Sequence, residues 1–139
     1  MKRDRCWLVA LAAVLSLAAA PTRAEAATPA ASATARGAVI YERCAACHAL
    51  SFDRTGPRHC GLFGRRAGSL AGFEYSPALR RSQLVWNDAT LDRFLKNPMG
   101  TIPGTAMGYD GIKDAGERRD LIAYLRAAGD SPECRAAPP

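Results

Sequence analysis

Cys44-Ala45-Ala46-Cys47-His48 is the stretch of this 139-residue chain from which its fold can be read. Two thiols separated by two residues and followed at once by an imidazole form the C-x-x-C-H pattern of covalent haem attachment. The spacing has a mechanical sense. On a helical turn both sulfurs lie on one side, placed to add to the two vinyl groups of a porphyrin, and the next residue is placed to coordinate its iron. Three other uses of the pattern compete with this one. A redox-active Cys-x-x-Cys pair belongs in a βαβ setting, and no strand alternation surrounds this motif. A zinc site needs further ligands at suitable spacing, for which His59 and Cys60 form an irregular set. A disulfide within the motif leaves His48 idle.

Upstream of the motif, Val39, Ile40 and Tyr41 continue into Cys44, Cys47 and His48 at mostly helical spacing. This predicts a first helix from near Arg36 to about His48. Downstream, residues 49–76 carry five glycines and no sustained alternation, a stretch too long for an ordinary connector unless it wraps something. A short helix is expected over Pro77–Arg81, with proline at its first turn. Another begins at Asn87 or Asp88, turns Leu91, Phe94 and Leu95 to one side, and stops before Pro98. The last starts at Asp114, pairs it with Glu117 in a capping-box-like arrangement, buries Leu121, Ile122, Tyr124 and Leu125, and ends with Gly129 at C′. Arg118 and Arg119 are expected on its solvent side. The fold class is therefore all-α: three main helices plus short helices and long loops. So few strong apolar segments make a thin core, and a buried haem would supply the missing apolar volume.

The N-terminus reads as an export signal. Lys2, Arg3 and Arg5 precede an apolar run from Trp7 to Ala20, Pro21 breaks it, and Ala24-Glu25-Ala26 offers a small-x-small cleavage site. The run is short for a membrane span; an uncleaved anchor is the other reading. Residues 1–26 are taken as signal peptide, 27–35 as a flexible leader that packs nothing, 36–129 as the folded domain and 130–139 as a tail. Cleavage removes four basic residues (Lys2, Arg3, Arg5, Arg23) and two acidic ones (Asp4, Glu25), so the formal charge falls from +6 to +4. That balance does not by itself imply nucleic acid. Cleavage also removes Cys6 and leaves Cys44, Cys47, Cys60 and Cys134, an even number in a compartment where disulfides persist.

Haem iron bound by His48 needs a sixth partner. His59 is close in sequence to His48 and awkward for the opposite face. Met99 and Met107 both precede the last helix, and spacing alone does not choose between them; a thioether there holds iron low-spin and raises its potential.

From Gly37 to Gly129 the chain resembles the class I cytochromes c, in several separate motifs. These are Gly37 and Tyr41, the Cys44–His48 motif, Thr55-Gly56-Pro57, Gly61-Leu62-Phe63-Gly64-Arg65, Gly72-Phe73-Glu74-Tyr75-Ser76, Trp86, Asn97-Pro98, Ile102-Pro103-Gly104-Thr105-Ala106-Met107, Gly111-Ile112-Lys113 and Arg118 to Leu125. The resemblance implies the class I fold around one covalent haem c, with first and last helices crossing near Gly37 and Tyr124. It implies Met107 as distal ligand and a Pro57 carbonyl that accepts from the far nitrogen of His48. Arg65, Tyr75 and Trp86 match positions that bond the buried propionates, and Thr105 and Ser76 match hydroxyls near them.

The chain also departs from the family. Phe94 stands where a tyrosine hydroxyl usually approaches the methionine sulfur, and Leu79 where the mitochondrial branch has an asparagine. Met99, Gly100 and Ala106 replace lysines around the exposed haem edge, while Arg43 and Lys113 remain. Cys60 stands at a common histidine position, and with Cys134 it is expected to form a disulfide that clips the tail to the haem loop. The function implied is a monomeric periplasmic electron carrier that is not an enzyme. Its partners would be redox proteins: an oxidase, a reaction centre, a cytochrome bc1-type complex or a periplasmic dehydrogenase. No nucleic acid and no stable membrane insertion are expected. A small peroxidase or a gas sensor is the alternative if Met107 is displaced.

Overall fold

The computed structural model describes residues 28–137; the signal sequence expected over 1–26 lies outside the described residues. The chain forms six helices there and one isolated antiparallel bridge between Arg66 and Val85. Helix α1 runs over Pro29–Tyr41, capped by the Thr28 hydroxyl, which accepts from the Ala31 amide, and opened by proline. Residues 29–35, expected as a flexible leader, are thus its first turns.

The first helix also ends earlier than its apolar spacing predicts. Residues 42–47 are turns instead of helix. The amides of Arg43, Cys44, Ala45 and Cys47 each reach back three residues, and only His48 reaches back four, to the Cys44 carbonyl at 2.9 Å. Two contacts tie this turn to the rest of the chain. The Cys47 carbonyl is taken by the Gly56 amide at 2.7 Å, and the Arg43 guanidinium is held by Glu117.

Helix α2 (Pro77–Arg81) is capped by Ser76, and α3 (Asp88–Lys96) by a reciprocal pair in which Asn87 and Thr90 each accept from the other's amide. Helix α4 (Pro98–Thr101) is a single turn. Helix α5 (Ala115–Gly129) starts at Asp114, whose carboxylate accepts from the Glu117 amide at 2.8 Å. The Glu117 carboxylate does not complete a capping box as expected; it faces α1 and takes both Arg43 nitrogens at 2.8 Å. Gly129 is the last helical residue instead of C′, with Asp130 as the cap. Helix α6 (Pro132–Ala136) is the tail, folded into one capped turn.

Helices α1 and α5 cross at Gly37. A Cβ there would lie 2.6 Å from that of Tyr124 and would collide with the Asp120 carbonyl, so the approach admits only glycine. On either side of the crossing, Arg36 bonds Asp120 and Arg43 bonds Glu117. The core lies beneath: Leu121, almost wholly buried, with Leu91, Phe94, Leu95, Ile102, Ile112 and Leu125. Arg118, expected on the solvent side, is buried in this layer. It pairs with Asp92 at 2.7 Å and donates to the carbonyls of Ile112 and Lys113 at 2.9 Å each. Those loop carbonyls lack helix partners and need a donor once buried, which is what draws the guanidinium inward.

Residues 42–86 are mostly irregular and are pinned by scattered backbone bonds. Gly64 donates to Trp86, Trp86 to Arg65 and Ala67 to Leu84, at 2.8–3.0 Å. Together with the stretch from Asn97 to Lys113 they form a girdle around a cavity. No helix among the described residues is long and apolar enough to cross a membrane.

Candidate functional site: a haem-shaped cavity between two loops

The cavity measures about 320 Å³, and every candidate residue borders it: Cys44, Cys47, His48, Pro57, Arg65, Tyr75, Ser76, Trp86, Thr105 and Met107. Its floor and walls are apolar, built from Leu62, Leu79, Leu91, Phe94, Leu121 and Leu125.

Cys44 is half-buried and Cys47 exposed, both as free thiols at the cavity rim. His48 follows them. Its Nδ1 lies 2.7 Å from the Pro57 carbonyl, which leaves the other ring nitrogen uncommitted to that bond. The carbonyl accepts only if Nδ1 carries the proton, and that tautomer makes Nε2 the ligating atom. Burial holds the His48 pKa below its ordinary value, with the Pro57 bond acting the other way. A neutral imidazole is what a metal requires. Gly56 lies against this ring: a Cβ would sit 2.6 Å from Nε2 and 2.7 Å from Nδ1. The Thr55-Gly56-Pro57 turn therefore cradles the imidazole by having no side chain at its centre.

On the opposing loop, Met107 is half-buried and borders the cavity, whereas Met99 lies on α4, half-exposed and away from it. Of the two methionines that spacing left open, Met107 is the one at the cavity. Buried Thr105 orients this loop, its hydroxyl accepting from the Met107 amide at 3.3 Å. Phe94 packs against Trp86 with centroids 5.1 Å apart and brings no hydroxyl to the cavity.

The polar groups are few and specific. The Arg65 guanidinium donates to the carbonyls of Cys60 and Arg58 at 3.1 and 3.0 Å. Tyr75 is buried, and desolvation raises its pKa above the usual phenol value. Trp86 is buried as well, and the Ser76 hydroxyl accepts from the Leu79 amide. Buried donors beside an apolar slot suit a flat apolar ring that carries carboxylates. Among the described residues no group of three or more His, Cys, Asp or Glu side chains comes together to hold a metal ion. Among the described residues the motif lies between helix and loop, with no strand beside it. Two thiols, a neutral imidazole and a thioether around one apolar slot fit haem c.

Cys60 and Cys134 are brought together in disulfide geometry, with Cα atoms 5.0 Å apart. The same tail bonds the loop a second time, where Ser51 donates to the Glu133 carboxylate at 2.7 Å.

His59 is the residue that sequence reasoning undervalued. Its ring stacks on that of His48, with centroids 4.4 Å apart and planes 18° from parallel, and its Nδ1 lies 3.1 Å from the Tyr41 hydroxyl. Burial pushes its pKa down to about 3, with His48 and Arg65 adding to the effect. The available signal was its place between Pro57 and Cys60, in a turn that must fold back under His48.

Lys113 and Arg43, the cations expected at the haem edge, already have partners. Lys113 donates to the Asp110 and Lys96 carbonyls, and Arg43 to Glu117.

Comparison with known proteins agrees with this geometry. The cytochrome c family profile matches residues 34–129. A cytochrome c of Gibberella zeae is 44% identical over 95 residues, 66% of this chain and 90% of that protein. A cytochrome c2 of Rhodoplanes tepidamans is 43% identical over 96 residues, 67% of this chain and 90% of its own length. The solved structure of cytochrome cH from Methylobacterium extorquens superimposes with a TM-score of 0.66 at 37% identity, covering 68% of this chain and 97% of that one. The chain belongs to the cytochrome c family, whose members carry electrons through covalently bound haem c.

Proposed function

We propose that the chain is an exported, periplasmic electron carrier with one haem, joined through thioethers to Cys44 and Cys47 and ligated by His48 and Met107. The observation that carries this reading is the meeting of those four side chains around one apolar cavity. The bound haem supplies a ferric–ferrous couple that moves one electron at a time.

The protein's residues shape that couple. The Pro57 carbonyl polarises the His48 N–H, which strengthens the imidazole as a donor and favours the oxidised metal. Met107 acts in the opposite sense, since a thioether favours the reduced metal. The apolar walls exclude water, so little solvent reorganises when charge changes. Arg65, Tyr75 and Trp86 present N–H and O–H groups that would meet the propionate carboxylates, with Thr105 and Ser76 beside them. With His48 and Met107 both holding the iron, no coordination site would stay open for a substrate, and the chain would act as a carrier instead of an enzyme.

The partners are redox proteins such as an oxidase, a reaction centre, a bc1-type complex or a periplasmic dehydrogenase, docking weakly to a monomer at the haem edge. Arg43 and Lys113 are spent within the fold, so steering by positive charge at that edge is modest. In an oxidising compartment the Cys60–Cys134 disulfide forms and fastens the tail.

Carbon monoxide tests the reading. The ferrous protein at neutral pH is expected to leave its spectrum unchanged under the gas, and Met107→Ala to bind it. Ready binding by the parent protein would mean an open iron site and would support the peroxidase or sensor class.

A further inference from the structure

We propose that His59 is a positioning residue for the proximal ligand: its ring, steadied by the Tyr41 hydroxyl, holds the His48 imidazole in one rotational setting. The proposal rests on the reading of His48 as haem ligand.

The hydrogen bond to Pro57 fixes one ring atom of His48, and the Gly56 backbone lies against the ring. A stacked ring adds a flat contact that resists rotation about that bond. His59 supplies it, nearly parallel at a centroid distance of 4.4 Å. His59 is itself firmly held. Its amide donates to the carbonyls of Ala49 and Leu50 at 3.1 Å each, and its carbonyl accepts from Leu62 at 3.0 Å. Its neighbour Cys60 donates to Leu50 at 2.8 Å and is linked to Cys134.

The side chain is fixed from the helix side. Tyr41, the last residue of α1, bonds Nδ1 of His59 and leans on Tyr124 of α5 at 5.1 Å. A buried imidazole without a partner would be destabilising, so the Tyr41 hydroxyl also makes the residue tolerable there. The result is a chain of ring contacts, Tyr124 tilted on Tyr41, Tyr41 edge-on to His59 and His59 stacked on His48, that links the α1–α5 crossing to the proximal ligand. A leucine at position 59 could fill the same volume but would offer neither a flat face nor a bond to Tyr41.

The plane of an axial imidazole sets how unpaired spin is spread over the four haem methyl groups, so their ferric proton NMR shifts report it directly. The variants are His59→Leu, Tyr41→Phe and His59→Phe, each measured as holoprotein beside the parent, with thermal unfolding recorded in parallel. His59→Leu is expected to redistribute the four shifts. Tyr41→Phe is expected to move them in the same sense by a smaller amount, and His59→Phe, which keeps a flat face, to restore most of the parent pattern. A purely structural role would lower the unfolding temperature and leave the pattern in place. Parent-like shifts in both His59→Leu and Tyr41→Phe overturn the proposal; should His59→Leu fail to assemble, parent-like shifts in Tyr41→Phe alone overturn it. A parent protein without low-spin covalent haem would instead overturn the functional reading, and this proposal with it.

Discussion

The α1–α5 crossing and the loop girdle are held together by different means. The crossing is regular helix, closed by a glycine contact, two exposed ion pairs and a strip of buried leucine and isoleucine. The girdle, residues 42–86 and 97–113, contains two short helices and otherwise scattered turn bonds. Its apolar side chains face the cavity as much as one another. A helix pair can bury its stripe against its partner, whereas loops of this length close only around something. The crossing is therefore the frame, and the girdle is a container whose order depends on its contents and on the tail clip.

The largest test of that division removes the contents. The double variant Cys44→Ala/Cys47→Ala should lose covalent haem. Its girdle amides are expected to exchange with solvent about as fast as in an unfolded chain, while amides of α1 and α5 keep measurable protection. Hydrogen exchange read by mass spectrometry separates the two regions. Uniform loss of protection would show that the crossing has no independent stability.

Removing the clip comes next. The sequence separation between Cys60 and Cys134 is 74 residues, for which chain entropy gives about 4 kcal/mol. Cys134→Ser should lower the free energy of unfolding by up to that amount in a denaturant titration. A reductant should do the same to the parent and nothing further to the variant.

A smaller effect belongs to the crossing. Gly37→Ala drives a methyl group into the Asp120 carbonyl and should cost about 2 kcal/mol, the usual scale for overpacking. Denaturation midpoints measure the loss, and it should appear in α1 and α5 before it appears in the girdle.

The smallest effect is the response to pH. Burial raises the pKa of Tyr41, Tyr75 and Tyr124 above the ordinary phenol value of 10.0. The folded state therefore keeps these protons longer than the unfolded one. Their contribution is fully present below about pH 10 and declines as pH rises past it. Tyr41→Phe should flatten that decline in urea titrations across the alkaline range. At the acid end the sign reverses. Hydrogen bonds from Arg43 and Arg36 hold Glu117 and Asp120 below the usual carboxylate range, so their small contribution is present above that range and fades as pH falls through the depressed values.

Much of this was legible in the chain because it is written in local rules. Pro77 at its first turn placed α2, an Asn87 or Asp88 cap and the stop before Pro98 placed α3, and Asp114 placed α5. The motif at Cys44–His48 indicated the cofactor class by its spacing alone. The end of α1 was not legible: apolar spacing continues through Cys47, but the Gly56 amide, distant in sequence, takes the Cys47 carbonyl. Arg118 was misplaced for a related reason. Helical periodicity puts an arginine outside unless a loop brings carbonyls to it, and the loop at Ile112 and Lys113 does. Met107 could not be told from Met99 by spacing, because only the folded girdle shows which one borders the cavity. His59 was hardest, since its role lies in a ring contact with His48 that no periodicity encodes.

The ferric absorption spectrum of the purified protein at neutral pH tests the central claim most directly. A covalent haem held between His48 and Met107 gives a low-spin spectrum with the weak red charge-transfer band of sulfur-ligated iron, and Met107→Ala abolishes that band. A high-spin spectrum, or a colourless protein, would contradict the account.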